Sequence, residues 1–425
     1  MRKNINKLVA VAIGVSIMSG SAIPAFAAGT ATTNNTSAQN TSTITSVQVP
    51  EKTKPVLTLK NAIAAGISNS DTIALQVKKI NLEEDKLEMA DEFEDADDSD
   101  DNEYQKDKQE LAVRQEKENK ENLEDQIAQL ITDQYNNIVA KDKELNKLKK
   151  EIEIRTKEFK DTELRKKLGM KTSIELKNEE IKIETLKNNE KAKENQLKNI
   201  KDYFKVLTNA DLSKYALVQD ADYEVFKING SVDNYLDNKL DKYFKYEKQS
   251  SELLKDYLKD NKVDKPDNKP DEDDFSDSTD ADGNVTKSAE DKYEAALAGY
   301  NAEVIQYRTY LEQRYGSSAA AVGLEEKRKS YKKILKESYA NLLDLENKIN
   351  VMKSSTAVDN KQLSIAKLKY DMGLITKTEY NKQVLSLDKE DLEVTLRTYI
   401  DNYNKLKNYI QKPWLISGGS GAGEQ

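Results

Sequence analysis

The sequence predicts an all-α fold of long antiparallel coiled-coil helical hairpins in two internal repeats. Three observations carry that expectation. A helix stop followed at once by a helix start occurs twice, as Leu168-Gly169-Met170-Lys171-Thr172-Ser173-Ile174-Glu175 and as Met372-Gly373-Leu374-Ile375-Thr376-Lys377-Thr378-Glu379. In each, glycine can take the left-handed conformation that ends an α-helix, and Thr with Glu three residues on forms a capping box for the next one. Gly169 and Gly373 stand 204 positions apart with Thr and Glu in the same relative places, so the chain reads as a duplicated hairpin. Apolar residues after the turns keep a coiled-coil seam: Leu385, Leu392, Leu396, Tyr399, Tyr403, Leu406 and Ile410 fall at spacings of 7, 4, 3, 4, 3 and 4, and Leu197, Ile200, Phe204 and Leu207 at 3, 4 and 3. Finally, 34 % of residues are charged, only 37 % are apolar and glycines number 15. A globular core uses about 45–50 % apolar residues, whereas a thin seam needs fewer.

Taken in order, residues 1–27 read as a secretory signal. Arg2, Lys3 and Lys7 form its charged region, 8–18 its apolar core, and Ala25 and Ala27 flank Phe26 in a small-residue cleavage site. Residues 28–55 are rich in Thr, Asn and Ser and read as a disordered leader. The first hairpin repeat is placed at 56–212. Its opening helix starts near Leu57 and gives way to an acidic loop or frayed helix end over 91–103, where nine of thirteen residues are Asp or Glu. Helix resumes by Leu111, and Ile131, Tyr135, Ile138, Leu145 and Ile152 hold one stripe up to the first turn. Residues 208–231 show no clear period and read as short helices and turns.

The second repeat is placed at 213–412, with helix over 232–258. An acidic disordered insert follows at 260–288, with Pro266, Pro270 and the acids of 271–274. Helix returns at Ala289, with breaks expected near Gly316 and Gly323. Leu335, Leu342, Leu345, Ile349 and Met352 then carry the seam to the second turn. Pro413 ends the last helix, and 413–425 reads as a flexible tail.

The chain has no Cys and no His. Disulfides, thiolate and imidazole catalysis and the common zinc sites are therefore excluded. No pair of carboxylates sits in a recognisable constellation, so no enzyme, cofactor or metal site is expected. Asp280-Ala281-Asp282-Gly283 matches part of a calcium loop, but Ser278 and Ala289 stand where ligands are required, and a solvated spacer is the better reading. Without Arg2, Lys3 and Lys7, 64 basic residues face 76 acidic ones, a net charge of −12 that argues against a nucleic-acid partner. Beyond the signal no run of about 18 apolar residues occurs, so no further membrane helix is expected.

The second turn has a basic residue, an aromatic, two variable residues, Gly, two variable residues, Thr, two variable residues and an acid: Lys369, Tyr370, Gly373, Thr376 and Glu379. This pattern resembles the tip motif of TolC-type outer-membrane efflux proteins. Lys166 takes the aromatic's place in the first copy, and Val56-Leu57-Thr58-Leu59-Lys60-Asn61-Ala62-Ile63 with Ser68-Asn69-Ser70 is similar to the family's opening helix. The resemblance spans about residues 56–412 and implies a TolC-like helical duct. It also implies adaptor-docking tips at Gly169, Met170 and Thr172 and at Tyr370, Gly373, Leu374 and Thr376. Entrance acids are implied at Glu175 and Glu379; a further family acid is replaced by Lys382. Read by themselves, the same residues make well-capped turns.

In that family each repeat also carries two long strands of a membrane barrel. Here the acidic stretches occupy those places, and neither contains the 9–11 alternating residues that a membrane strand needs. The expected fold is therefore the duct without the β-barrel, and the missing strands argue against insertion in an outer membrane. The barrel has been lost, or the chain is a helical protein that shares only hairpin chemistry with the family. The implied function is that of an exported cell-envelope component of an efflux or secretion system. It would be a passive duct or scaffold, a homotrimer working with a periplasmic-adaptor-like protein and an ABC-type inner-membrane transporter. The alternative is a non-conducting wall- or surface-associated coiled-coil spacer.

Overall fold

The computed structural model describes residues 54–97, 99–218, 223–280, 285–387 and 389–419. The expected signal with Ala25 and Ala27, and the leader up to residue 53, lie outside these residues. The described chain is helical: α1 (Leu59–Ser68), α2 (Asp71–Ala96), α3 (Asp100–Lys167), α4 (Ser173–Thr208), α5 (Val232–Tyr243), α6 (Lys245–Asp260), α7 (Ala289–Asp371), α8 (Lys377–Ser386), α9 (Lys389–Gln411) and α10 (Trp414–Gly419). Strands β1 (Val56–Leu57) and β2 (Ala216–Leu217) pair in parallel, and β3 (Ser278–Thr279) pairs antiparallel with β4 (Val285–Lys287). One compact unit takes Val77–Glu118 and Leu240–Lys332; the other takes the described parts of Thr30–Gln76, Asn119–Lys239 and Lys333–Gln425. Each unit draws segments from both repeats.

In the second unit, the stripe read on α3 forms a core. Ile131, Tyr135, Ile138, Val139 and Leu145 cluster with Leu57, with Ala62 of α1, with Leu197 and Phe204 of α4, and with Leu212. Each large side chain so buried contributes about 1.5–3 kcal/mol, far more than the exposed ion pairs that line the antiparallel α3/α4 arms, such as Lys193–Glu144 at 2.7 Å and Lys149–Glu194 at 2.8 Å. On α7, Leu335, Leu342 and Ile349 are fully buried, as the seam predicts. Residues 209–218 form no helix. Thr208 turns the chain, its hydroxyl donating to the Phe204 carbonyl and accepting from Ala210 N–H, and β2 then pairs with β1.

The second return arm differs from the first. In place of one continuous seam, α8 ends at Ser386 and α9 starts at Lys389. Gly169 and Gly373 are 204 positions apart, but the buried Leu197 and Ile400 are 203 apart. One residue rotates a helix by about 100°, so an unbroken arm would carry Ile400 and Tyr403 out of the core. The tail also differs from expectation. Leu415 is buried and the Trp414 indole donates to Asp125 at 3.0 Å, so 414–419 is a helix held against α3.

The first unit corrects both acidic stretches. Residues 91–96 and 100–103 are helical, because their charge is answered: Lys106 pairs with Glu94 at 2.6 Å and Asp91 at 3.2 Å. Asn102 donates to the carbonyls of Asp97 and Phe93 at the end of α2. Asp100, Asp101 and Glu103 sit in the first turn of α3, where the helix dipole favours anions. Tyr257 of α6 stacks on Tyr104 at 4.2 Å and donates to Asp101. The described residues of 260–288 are likewise structured, with a 3₁₀ turn at Glu272–Asp274 and the β3/β4 pair. The Asp277 carboxylate accepts from Ala289 N–H at 2.7 Å and Lys292 donates to the Ser276 carbonyl at 2.7 Å, tying the loop to the start of α7. The calcium-like residues 281–283 lie outside the described residues. Helix α7 continues through Gly316 and Gly323 without the expected breaks.

Candidate functional site

The two tips are closed by the same local chemistry. At the first, Gly169 N–H donates to Lys166 O and Met170 N–H to Arg165 O, both at 2.9 Å, with Gly169 at φ +75°. At the second, Gly373 N–H donates to Tyr370 O at 2.9 Å and Leu374 N–H to Lys369 O at 2.8 Å, with Gly373 at φ +69°. These are Schellman motifs, which satisfy the last carbonyls of α3 and α7. A β-carbon at either glycine would meet nothing within 4 Å, so glycine is required by backbone conformation and not by space.

Each following helix opens with a capping box. Thr172 Oγ1 accepts from Glu175 N–H at 3.2 Å while Glu175 Oε2 accepts from Thr172 N–H at 2.8 Å; Thr376 and Glu379 repeat both contacts at the same distances. In the first tip Lys171 adds a 2.5 Å contact to Glu175 Oε1. Lys171, then the Thr172 N–H and hydroxyl, hold the Glu175 carboxyl down at about 2, well below the usual carboxylate range. Both glutamates predicted as entrance acids are thus engaged as helix caps.

With the backbone satisfied internally, the tips present side chains. Leu168, Met170 and Ile174 are exposed at the first tip, Met372 and Leu374 at the second; Met170 and Leu374 are each 68 % exposed. One feature was not read from the sequence: the Tyr370 ring stacks on Tyr380 across the second hairpin, with centroids 5.3 Å apart and planes 18° from parallel. Lys166 and Leu176 hold the corresponding positions of the first copy, so only the second tip has this brace. Two tyrosines ten residues apart around the turn were the available signal.

The second unit also orients the hairpins. Helix α9 lies antiparallel to α3, with Arg397 against Asn136 at 2.9 Å, Lys405 against Asp133 at 2.8 Å, Asn408 against Gln129 at 2.9 Å and Lys412 against Asp125 at 2.5 Å. The chain reaches the first tip forward along α3 and the second backward along α9 and α8, so both hairpins point the same way within the unit.

No known family model matches this sequence, and no curated protein does. The structure is similar to that of the Campylobacter jejuni CmeC outer membrane channel: 12 % identity over 86 % of this chain and 87 % of that one, TM-score 0.53. It is similar to CusC, whose crystal structures describe transmembrane channel formation: 11 % identity over 85 % and 91 % of the two chains, TM-score 0.52. A membrane protein from Pseudomonas aeruginosa matches at 10 % identity over 84 % and 92 %, TM-score 0.53. The helical fold is TolC-type. What these chains share with it is the fold. Among the described residues no strand exceeds the three residues of β4, and none closes a barrel. No described helix is long and apolar enough to cross a membrane.

Proposed function

We propose that this chain is an exported cell-envelope component of an efflux or secretion system, a passive helical duct or scaffold. Three copies surround a common axis, the tips dock an adaptor, and an ABC-type inner-membrane transporter supplies the energy. The observation that carries this reading is a TolC-type fold that keeps both capped tips but, among the described residues, has only the break between α2 and α3 and the short β3 and β4 where barrel strands would stand. Gly169, Met170 and Thr172, with Tyr370, Gly373, Leu374 and Thr376, are the proposed docking residues. Glu175 and Glu379 act first as caps, and their role at an entrance follows only in the assembled ring.

Self-association is supported by an apolar stripe that a single chain leaves uncovered. Val351, Val358 and Ile365 on α7, with Met372 just past its end, recur every seven residues, and all are more than half exposed. Such a stripe is a coiled-coil seam awaiting a partner helix. The test is the mass in solution of residues 28–425 by light scattering without detergent. A trimer is expected. A monodisperse monomer overturns the duct reading and leaves the spacer.

A further inference from the structure

Helix α3 turns its apolar residues toward the core of the first repeat, so the face it shows to α9 of the second repeat is polar. Within that face lies a group of four charges. Arg397 is 4 % exposed; it donates to Asn136 Oδ1 at 2.9 Å, and its Nε lies 3.5 Å from Asp401 Oδ2. Asp133 of α3 faces the same group, but its Oδ2 is taken by Lys405 at 2.8 Å. Asp401 is thus the less well compensated of the two carboxylates. It is largely out of water, meets its guanidinium at 3.5 Å, the outer limit of a hydrogen bond, and has a second carboxylate nearby.

Burial penalises the ionised form of such a group, and the Asp133 charge adds to the penalty. Arg397 works against both but does not outweigh them, and the Asp401 carboxyl is pushed up to about 6. If α9 moves off α3, Asp401 regains water and an ordinary carboxylate affinity for protons.

We propose that Asp401 makes the α3/α9 contact a proton-controlled clasp between the two repeats, tighter when Asp401 is protonated and looser when it is ionised. The sign follows from linkage. The docked arrangement binds the proton more strongly than the undocked one, so acidification favours docking, in contrast to a carboxylate held by a good ion pair. The equilibrium changes by about tenfold per pH unit where Asp401 is ionised undocked but protonated docked, between roughly pH 4 and pH 6, and levels off above that window.

The test is hydrogen exchange of the full mature chain, corrected for the intrinsic pH dependence of exchange, followed at α9 and at residues 125–139 of α3. Protection of both segments should fall by nearly tenfold between pH 5 and pH 7. Asp401→Asn, which mimics the protonated state, should be as protected at pH 7 as the wild type is at pH 5 and should lose the pH dependence. Protection that is equal at the two pH values, or that falls on acidification, overturns the clasp. So does an Asp401→Asn protein less protected than wild type at pH 7. The wild-type series decides the question alone should the variant not fold.

Discussion

Tyr135 on α3 and Tyr339 on α7 stand 204 positions apart and do the same work: each phenol oxygen accepts a backbone N–H from the segment that links the repeats. Tyr135 accepts from Val218 at 2.8 Å, and Tyr339 from Ile228 at 3.4 Å. Their separation equals that of Gly169 and Gly373, so the duplication seen at the tips extends into the core. The copies have diverged in strength. Tyr135 is almost fully buried and also donates to Leu57 O at 2.8 Å, joining β1 to β2. Tyr135→Phe is expected to destabilise by about 1–3 kcal/mol, because two backbone groups lose their partner in a buried site. Tyr339→Phe should cost about 0.5–1 kcal/mol. Urea unfolding midpoints of the two variants check the order, and equal losses would show that the Tyr135 bridge is no stronger than its copy.

The tip glycines and a mid-helix glycine should respond in opposite directions. Gly373→Val forces a β-branched residue into a left-handed backbone at φ +69° and should destabilise by about 1 kcal/mol or more. Gly299 lies inside α7 with nothing within 4 Å of a built β-carbon, so Gly299→Ala should stabilise by about 0.5–1 kcal/mol. Thermal midpoints that move the same way in both variants would contradict these backbone assignments.

The first tip should weaken in acid. The folded-state carboxyl of Glu175 lies at about 2, below the ordinary value of 4.5, so its contribution is fully present above pH 4.5 and is lost as the pH falls towards 2. Glu175→Gln should remove this dependence, and the carbon-detected NMR titration of Glu175 should have its midpoint near 2. A midpoint above 4 would mean that the Lys171 contact and the capping box do not persist in solution.

The exposed α7 stripe predicts the assembly. Val358→Glu with Ile365→Glu should reduce the mass in solution from trimer to monomer while leaving helix content unchanged, since neither side chain belongs to the core of its own chain. Light scattering with circular dichroism reads both quantities, and an unaltered trimer would place the interface elsewhere.

The two hairpins, their duplication and their seams were legible in the sequence because each is a local matter. The left-handed backbone at Gly169 and Gly373, the reciprocal bonds of Thr172 with Glu175 and Thr376 with Glu379, and the heptad spacing of Leu335, Leu342 and Ile349 depend on residues within one or two turns of each other. Only the tertiary structure decided which locally unfavourable segments stay ordered. The acids of 91–96 and 100–103 remain helical because Lys106 and Asn102 reach back across a hairpin. The tail folds because Asp125 meets Trp414 from 289 positions away. Arg397 is buried for the same reason, its Asn136 partner lying 261 positions away. A charge or a lone aromatic is costly or stabilising according to the partner it meets, and these partners are brought together by the packing of one helix against another.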